Sequence, residues 1–343
     1  MVWPNMSGLV TNLSMVVSFI FCVVGILMSL VSISLLGVWV GIELNFLAVI
    51  SFMAGNSGEE VEGVIKYYII QILGSCFNLM SVLMVMNGMW YSVSGTMLLV
   101  GMFIKLGAFP FHFWVAPVVK NLPWASCGVI LILQKIVPLW VMSNYMHMKS
   151  EVNFMEVVCV LGCCFGCFGG LGVLNYRVLL GFSSIHQLGF MLMMTCFKSM
   201  SLFVYFSWYS MLMVVLISSL WKVNVFSLLD LTKDTVLNNL TIMWALAMYL
   251  FSIAGLPPFT GCALKTLFLI TCWSNMMLGS SVCLMTSCVS LAFYLSMIMS
   301  MSVYWGKSIS SRVITTNSSA VMGVMSVLVN LVLGPVVFEF SSM

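Results

Sequence analysis

Apolar runs of about twenty residues recur along the chain, separated by short polar or turn-forming stretches. The runs fall at about 13–32, 34–54, 64–86, 94–119, 123–146, 153–174, 177–197, 201–223, 239–272, 277–304 and 320–340. A run of roughly 18 or more apolar residues with few charges reads as a membrane-spanning helix. The pattern therefore predicts an all-α polytopic membrane protein with about 11 transmembrane helices. The separators, at 55–60, 121–123, 230–239 and 307–319, are too short to fold alone, so 1–343 reads as a single membrane domain.

Two runs are interrupted at comparable places. In the fourth, KLGAFPFHFW (105–114) sets Pro110 in mid-span, and in the ninth, GLPPFTG (255–261) sets Pro257 and Pro258 there. Proline removes a backbone hydrogen bond and clashes with the preceding turn. Irregular backbone at that depth survives only where protein or a water-filled cavity satisfies it. The interrupted runs are five spans apart, and a second copy of an odd number of helices inserts upside down. The chain thus reads as two inverted five-helix units, 13–146 and 153–304, with discontinuous fourth and ninth helices and 320–340 as a final helix. Broken helices at matching places in two halves point to an ion path; the plainer reading is a pair of packing kinks.

Composition narrows the class. Apolar residues make up 62% of the chain and only 6% are charged, 12 Lys and Arg against 9 Asp and Glu, where a soluble domain is about a quarter charged. That excludes a soluble protein. The net charge of +3 is dispersed, with no basic run or stripe, so no nucleic-acid partner is expected. Nearly all of the 12 cysteines lie inside apolar segments, where Cys is a small hydrophobe. The first 12 residues carry no Lys or Arg and no cleavage site, so nothing at the start is expected to be removed.

Charge placement suggests an orientation. With eleven spans, loops on the N-terminal side carry Lys120, Arg177, Lys222, Lys233, Lys307 and Arg312, with Lys66 near the same face, while the opposite loops carry Lys149 and Lys198. The bias of positive loops toward the cytoplasm or its organellar equivalent puts the N-terminus on that side, the matrix in a mitochondrion.

Four ionisable residues fall near the middle of spans: Glu43, Lys105, Lys135 and Lys265. A charge at the bilayer centre costs about 2.5–3.5 kcal/mol on insertion scales. Snorkelling to the interface accounts for Lys66, Lys120 and Lys198, but Glu43 and Lys135 lie too far from either end of their spans. Desolvation favours the neutral amine of a lysine, and a carboxylate within about 4–6 Å restores the ammonium. Such a group can take up and release a proton. Glu43, the acidic residue central in a span, is expected to pair with Lys105, leaving Lys135 and Lys265 to relay the proton onward. His112, just past Pro110, and His186, in mid-span, are weaker shuttle candidates, with a hydrogen-bonded packing role as the alternative. His147, at a helix end, carries no role.

Other motifs carry less. Cys163, Cys164 and Cys167 have a metal-like spacing, but inside an apolar span they read as helix packing, and no metal site is expected. Gly166, Gly169, Gly170 and Gly172 match no phosphate loop and read as close helix contacts. The 32 methionines are spread over the whole chain as soft interface filler.

In order and spacing, KLGAFPFHFW (105–114), LQKIVP (133–138), GFSSIHQLG (181–189) and GLPPFTG (255–261) resemble the antiporter-like subunits of mitochondrial NADH:ubiquinone oxidoreductase, complex I. The resemblance covers essentially the whole chain. It implies a proton-translocating membrane-arm subunit of two inverted five-helix units, in the short animal version that lacks the first three of the family's fourteen helices. Glu43 matches the family's pairing glutamate, Lys105 its partner lysine, Lys135 the central lysine and Lys265 the lysine after the second break. The resemblance implies the mitochondrial inner membrane, with other membrane-arm subunits, related antiporter-like subunits among them, and lipids as partners. It also implies no cofactor in this chain, with NADH, FMN, the iron–sulfur clusters and ubiquinone held by other subunits. The chain departs from the pattern at Cys262, where Phe is usual, and in its abundance of Cys, Gly and Met, which points to a divergent invertebrate lineage. A stand-alone cation/proton antiporter would share fold and charges, and a membrane anchor with degenerate charges would share the fold.

Overall fold

The computed structural model describes residues 6–309 except 56, 89–90, 146–148, 198–199, 224, 228–229, 231–239 and 258. The final helix expected at 320–340 therefore lies outside the described residues, as do Pro258, His147, Lys198, Lys233 and Arg312.

The chain divides into two compact units, Met1–Tyr145 and Met146–Met343. In the first, α1 (Met6–Val31), α2 (Leu35–Met53) and α3 (Gly58–Met86) are continuous. The fourth span is α4 (Tyr91–Leu106), a 3₁₀ turn at Phe111–Trp114 and α5 (Val115–Asn121). The fifth is α6 (Trp124–Gly128), a π turn at Val129–Leu133 and α7 (Gln134–Tyr145). In the second unit, α8 (Lys149–Gly170), α9 (Tyr176–Thr195) and α10 (Ser201–Val223) are continuous. Two short helices come next, α11 (Leu240–Ala254) and α12 (Thr260–Cys272), and then α13 (Met277–Ile309).

Among the described residues, nine helical stretches are long and apolar enough to cross a membrane, and α11 with α12 makes up a tenth. Ten of the eleven segments read from the sequence are thus helical, and in each unit the fourth span is the broken one.

Local chemistry sets the ends. α3 begins at Gly58, six residues before its apolar run, because Ser57 and Glu60 form a capping box. The Glu60 N–H donates to Ser57 Oγ at 3.3 Å and the Ser57 N–H donates to Glu60 Oε2 at 3.5 Å. The acidic stretch that reads as a loop is therefore the first turn of a helix, and Lys66 pairs with Glu62 one turn apart.

Small residues let helices approach closely, as apolar packing without a water-driven force requires. A Cβ on Gly25 of α1 would come within 2.7 Å of Asn45 N on α2, and one on Gly166 of α8 within 2.5 Å of His186 N on α9. Gly166, Gly169 and Gly170 of α8 are close helix contacts as expected, but Gly172 is not: it follows the helix at φ +78°, where a Cβ would meet nothing within 4 Å, and so serves the turn rather than packing. The outer face of α1 exposes Leu13, Val16, Phe19 and Phe21, a surface suited to lipid tails.

Candidate functional site

Both broken helices end in the same way. α4 runs to Leu106, and Gly107 then takes φ +68°, a conformation that L side chains rarely adopt. The Ala108 N–H reaches back to Phe103 O at 3.0 Å and the Gly107 N–H to Ile104 O at 3.3 Å. α11 runs to Ala254, and Gly255 takes φ +77°. The Leu256 N–H reaches Phe251 O at 3.3 Å and the Gly255 N–H reaches Ser252 O at 3.1 Å. These are glycine-terminated helix ends of the Schellman type, with Pro110 and Pro257 placed after them to keep the helix from resuming at once.

The carbonyls freed by the breaks have different partners. In the first unit, Trp114 Nε1 donates to Ile104 O at 3.1 Å, and Gln71 Nε2 donates to Lys105 O at 3.4 Å. In the second, Lys265 Nζ itself donates to Ala254 O at 2.6 Å. Lys265 lies on α12 and reaches back across the break to the end of α11. Gly255 is fitted to this contact: a Cβ there would stand 2.5 Å from Lys265 Cε. Gly261 brings the start of α12 onto α11 so closely that a Cβ would overlap Ser252 O.

Lys105 occupies the last turn of α4, where a cation suits the negative end of the helix dipole. Its side chain is 4% exposed, and Nζ lies 3.0 Å from Glu43 Oε1, whose side chain is 22% exposed in the middle of α2. The ion pair expected from the sequence is present. Nζ also lies 5.9 Å from the Phe46 ring centroid, and Gly74 of α3 leaves room for the lysine stem. Removing one member of a buried ion pair costs about 3–5 kcal/mol, because the other is left uncompensated. Lys135, also buried at 4% exposure, sits in the first turn of α7 directly after the π turn. A π turn inside a helix shifts the register of the residues C-terminal to it and frequently marks a functional position.

Each unit holds a small cavity beside its break lysine. In the first, about 10 Å³ is enclosed by Asn45, Gln71, Lys105, Gln134 and Pro138, among others. In the second, about 10 Å³ is enclosed by Gln187, Tyr205, Tyr209, Ser252 and Lys265, among others. A polar cavity of this size admits about one water. Tyr205 Oη donates to Gln187 Oε1 at 2.5 Å at the edge of the second cavity.

The histidines stand apart from these cavities. His112 is half-buried in the 3₁₀ turn, stacked on Phe109 at a ring separation of 6.0 Å. His186 is buried on α9, with Nε2 3.4 Å from Thr286 Oγ1 and its ring edge-on to Phe190 at 5.1 Å. His186 does not line the cavity of Lys265, although its neighbour Gln187 does. Cys163, Cys164 and Cys167 are free thiols on α8, and Cys163 Sγ donates to His186 O at 3.5 Å.

Sequence reasoning from charges passes over the amides Asn45, Gln71, Gln134 and Gln187 and the phenol of Tyr205, all of which line the two cavities. A signal was available, since Gln134 adjoins Lys135, Gln187 adjoins His186 and Asn45 lies two positions after Glu43. It also passes over Glu156 of α8, whose Oε1 accepts the Gly279 N–H at 2.7 Å and so caps the start of α13 from a neighbouring helix.

Residues 32–292 match the family model for the NADH:quinone oxidoreductase/Mrp antiporter transmembrane region. Curated relatives include NADH-ubiquinone oxidoreductase chain 2 of Lumbricus terrestris, 31% identical over 80% of this chain and 82% of that protein. The chain 2 protein of Locusta migratoria is 32% identical over 79% of this chain and 80% of its own length. Among solved structures, a chain of respiratory complex I from Thermus thermophilus superposes with a TM-score of 0.80 at 19% identity, covering 94% of this chain and 79% of that one. A chain of an archaeal membrane-bound sulfane sulfur reductase gives 0.80 at 16% identity, with 95% and 73% covered. The Mrp complex of Dietzia gives 0.64 at 16% identity, with 87% and 61% covered. The structural likenesses show the fold, and the sequence matches show descent. The chain belongs to the NADH:quinone oxidoreductase/Mrp antiporter transmembrane family, in its NADH-ubiquinone oxidoreductase chain 2 branch.

Proposed function

We propose that the chain is a proton-translocating membrane-arm subunit of NADH:ubiquinone oxidoreductase, working beside other membrane-arm subunits of the complex in the mitochondrial inner membrane. The observation that carries the reading is the Glu43–Lys105 ion pair, buried at the lysine and half-buried at the glutamate, at the end of a broken half-helix in a chain of this family. The resident chemistry is proton transfer among lysine amines, a carboxylate and water. NADH, FMN, iron–sulfur clusters and ubiquinone belong to other subunits, and the coupling reaches this chain as a movement of charge or of helices.

In this reading the pair is a switch. With Glu43 beside it, Lys105 keeps its proton; a shift of α2 or of the α4 end withdraws the countercharge, and the desolvated amine releases the proton. Lys135 is the central acceptor and Lys265 the carrier in the second unit. The bond from Lys265 to Ala254 O ties its amine to the geometry of the second break, and the ammonium is held there more strongly than the neutral amine. His112 and His186 line neither lysine cavity, and the hydrogen-bonded packing role fits them better than a shuttle. The stretches 13–146 and 153–304 act as two inverted five-helix units, and the N-terminus faces the matrix, in keeping with the Lys and Arg of the loops on that side.

A stand-alone cation/proton antiporter is the other function this fold can serve. The chain 2 relatives, matched over about four fifths of both chains, favour the respiratory complex. Lys135→Ala in the assembled complex is expected to keep NADH oxidation and lose proton pumping, measured as protons moved per electron in sealed membrane vesicles. An unchanged ratio would refute the role of Lys135.

A further inference from the structure

The cavity of the first unit is bounded on one side by two amides that bond each other. Asn45 Nδ2 donates to Gln134 Oε1 at 3.3 Å, and Gln134 Nε2 donates back to Asn45 Oδ1 at 3.3 Å. Asn45 Oδ1 also accepts Cys22 Sγ at 2.9 Å, which orients the asparagine. Asn45 lies on α2, two residues after Glu43, and Gln134 on α7, one residue before Lys135. The amide pair therefore joins the helix of the Lys105 counterion to the helix of the central lysine.

Three features suit this pair to change. Both bonds are longer than the usual 2.9–3.0 Å of an N–H···O contact, and water from the adjoining cavity can replace them when they part. Each primary amide has two N–H donors, and one on each side remains for another partner. The backbone around Gln134 is also adjustable. The π turn Val129–Leu133 ends against it, and Pro138, four residues on, has no N–H to offer the Gln134 carbonyl.

We infer that Asn45 and Gln134 form an amide gate, a pair of positioning residues that decides whether the water held against Lys105 connects to Lys135. With the amides bonded to each other, the cavity ends at them and holds about one water. When they part, each turns a donor and an acceptor to solvent, and the water file extends along α7. The transfer then balances in protons and bonds. One N–H bond of Lys105 breaks as an O–H bond forms on the first water. That water gives up one of its other protons to the next, and the last water protonates the neutral amine of Lys135. One proton leaves Lys105 and one arrives on Lys135, with the water unchanged. A closed gate prevents the two lysines from equilibrating before the Glu43–Lys105 pair has moved. The inference rests on the reading of Lys105 and Lys135 as proton carriers.

The test uses the assembled complex in sealed membrane vesicles, with Asn45→Leu, Gln134→Leu and both together, measured beside Lys135→Ala. The expected result is that each single variant lowers the protons moved per electron and the double variant lowers it no further, as for residues that act as one device. A wild-type ratio in the leucine variants, alongside a loss in Lys135→Ala, would overturn the gate and leave the proton-carrier reading standing. A wild-type ratio in Lys135→Ala itself would overturn that reading and the gate with it. If the leucine variants do not assemble, the isosteric Gln134→Glu carries the test. A titratable group at the gate is expected to add a step to the pH dependence of the pumping ratio that wild type lacks, and an unchanged pH profile would overturn the gate.

Discussion

The two broken helices solve one backbone problem identically and one charge problem differently. At both, a glycine with positive φ closes the first half-helix and a proline comes after it. At the first break the lysine precedes the glycine, and its ammonium is neutralised by a carboxylate on another helix. At the second the lysine lies ten positions past the glycine and returns its ammonium to the carbonyl end of the first half-helix. Among the described residues Lys265 makes no ion pair. A helix C-terminus carries about half a negative elementary charge at each break, so the second site stays net positive where the first, with a full carboxylate as well, does not. The first unit can therefore respond to the position of a second helix. In the second, among the described residues, the lysine is tied to the shape of its own break, which needs a glycine where a Cβ would strike the lysine.

The largest expected effect comes from breaking the first arrangement. Glu43→Gln leaves a buried ammonium without its countercharge, which should destabilise the complex by up to about 3–5 kcal/mol. Thermal unfolding of the isolated complex should show this alongside a lost pumping ratio. Near-normal stability would mean that the pair is not buried in the working protein.

Gly255→Ala acts on the second arrangement. It should cost about 1–2 kcal/mol for the left-handed backbone and should push Lys265 off Ala254 O, lowering pumping while NADH oxidation persists. The same change at Gly107 meets the methyl of Val115 and no lysine, so it should cost similar stability with a smaller change in pumping. Equal pumping defects at the two glycines would erase the contrast between the breaks.

The smallest effect is expected from Trp114→Phe. It removes the Nε1 bond to the freed Ile104 carbonyl and should cost about 0.5–1.5 kcal/mol by the same thermal measurement, with pumping retained.

Much of this was legible in the chain. Long apolar runs announce spans, and the prolines at 110 and 257 announce the breaks, because each leaves a strong local mark. The charges Glu43, Lys105, Lys135 and Lys265 announce themselves by the cost of placing them in a membrane. Less visible were features with a weak hydropathy signal or a partner far away in sequence. The capping box that starts α3 reads as an acidic loop until Ser57 and Glu60 are taken together. The Asn45–Gln134 pair spans 89 positions, and its members are uncharged, so no single window reveals it. The π turn before Gln134 leaves no mark in VILIL, a run that would suit any helix. His112 and His186 illustrate the reverse, since one follows the first break and the other lies in mid-span, yet neither lines a cavity with a lysine.

On the proposed reading the Glu43–Lys105 pair moves protons as well as holding helices together. The most direct test is the protons-per-electron ratio of the assembled complex carrying Glu43→Gln and Lys105→Met together. Replacing both members of a buried ion pair is often near neutral for stability, so a structural role alone would be repaired in the double variant. The expected result is a complex that assembles and oxidises NADH with a pumping ratio as low as that of Glu43→Gln alone. A double variant that recovers the wild-type ratio along with its stability would contradict it.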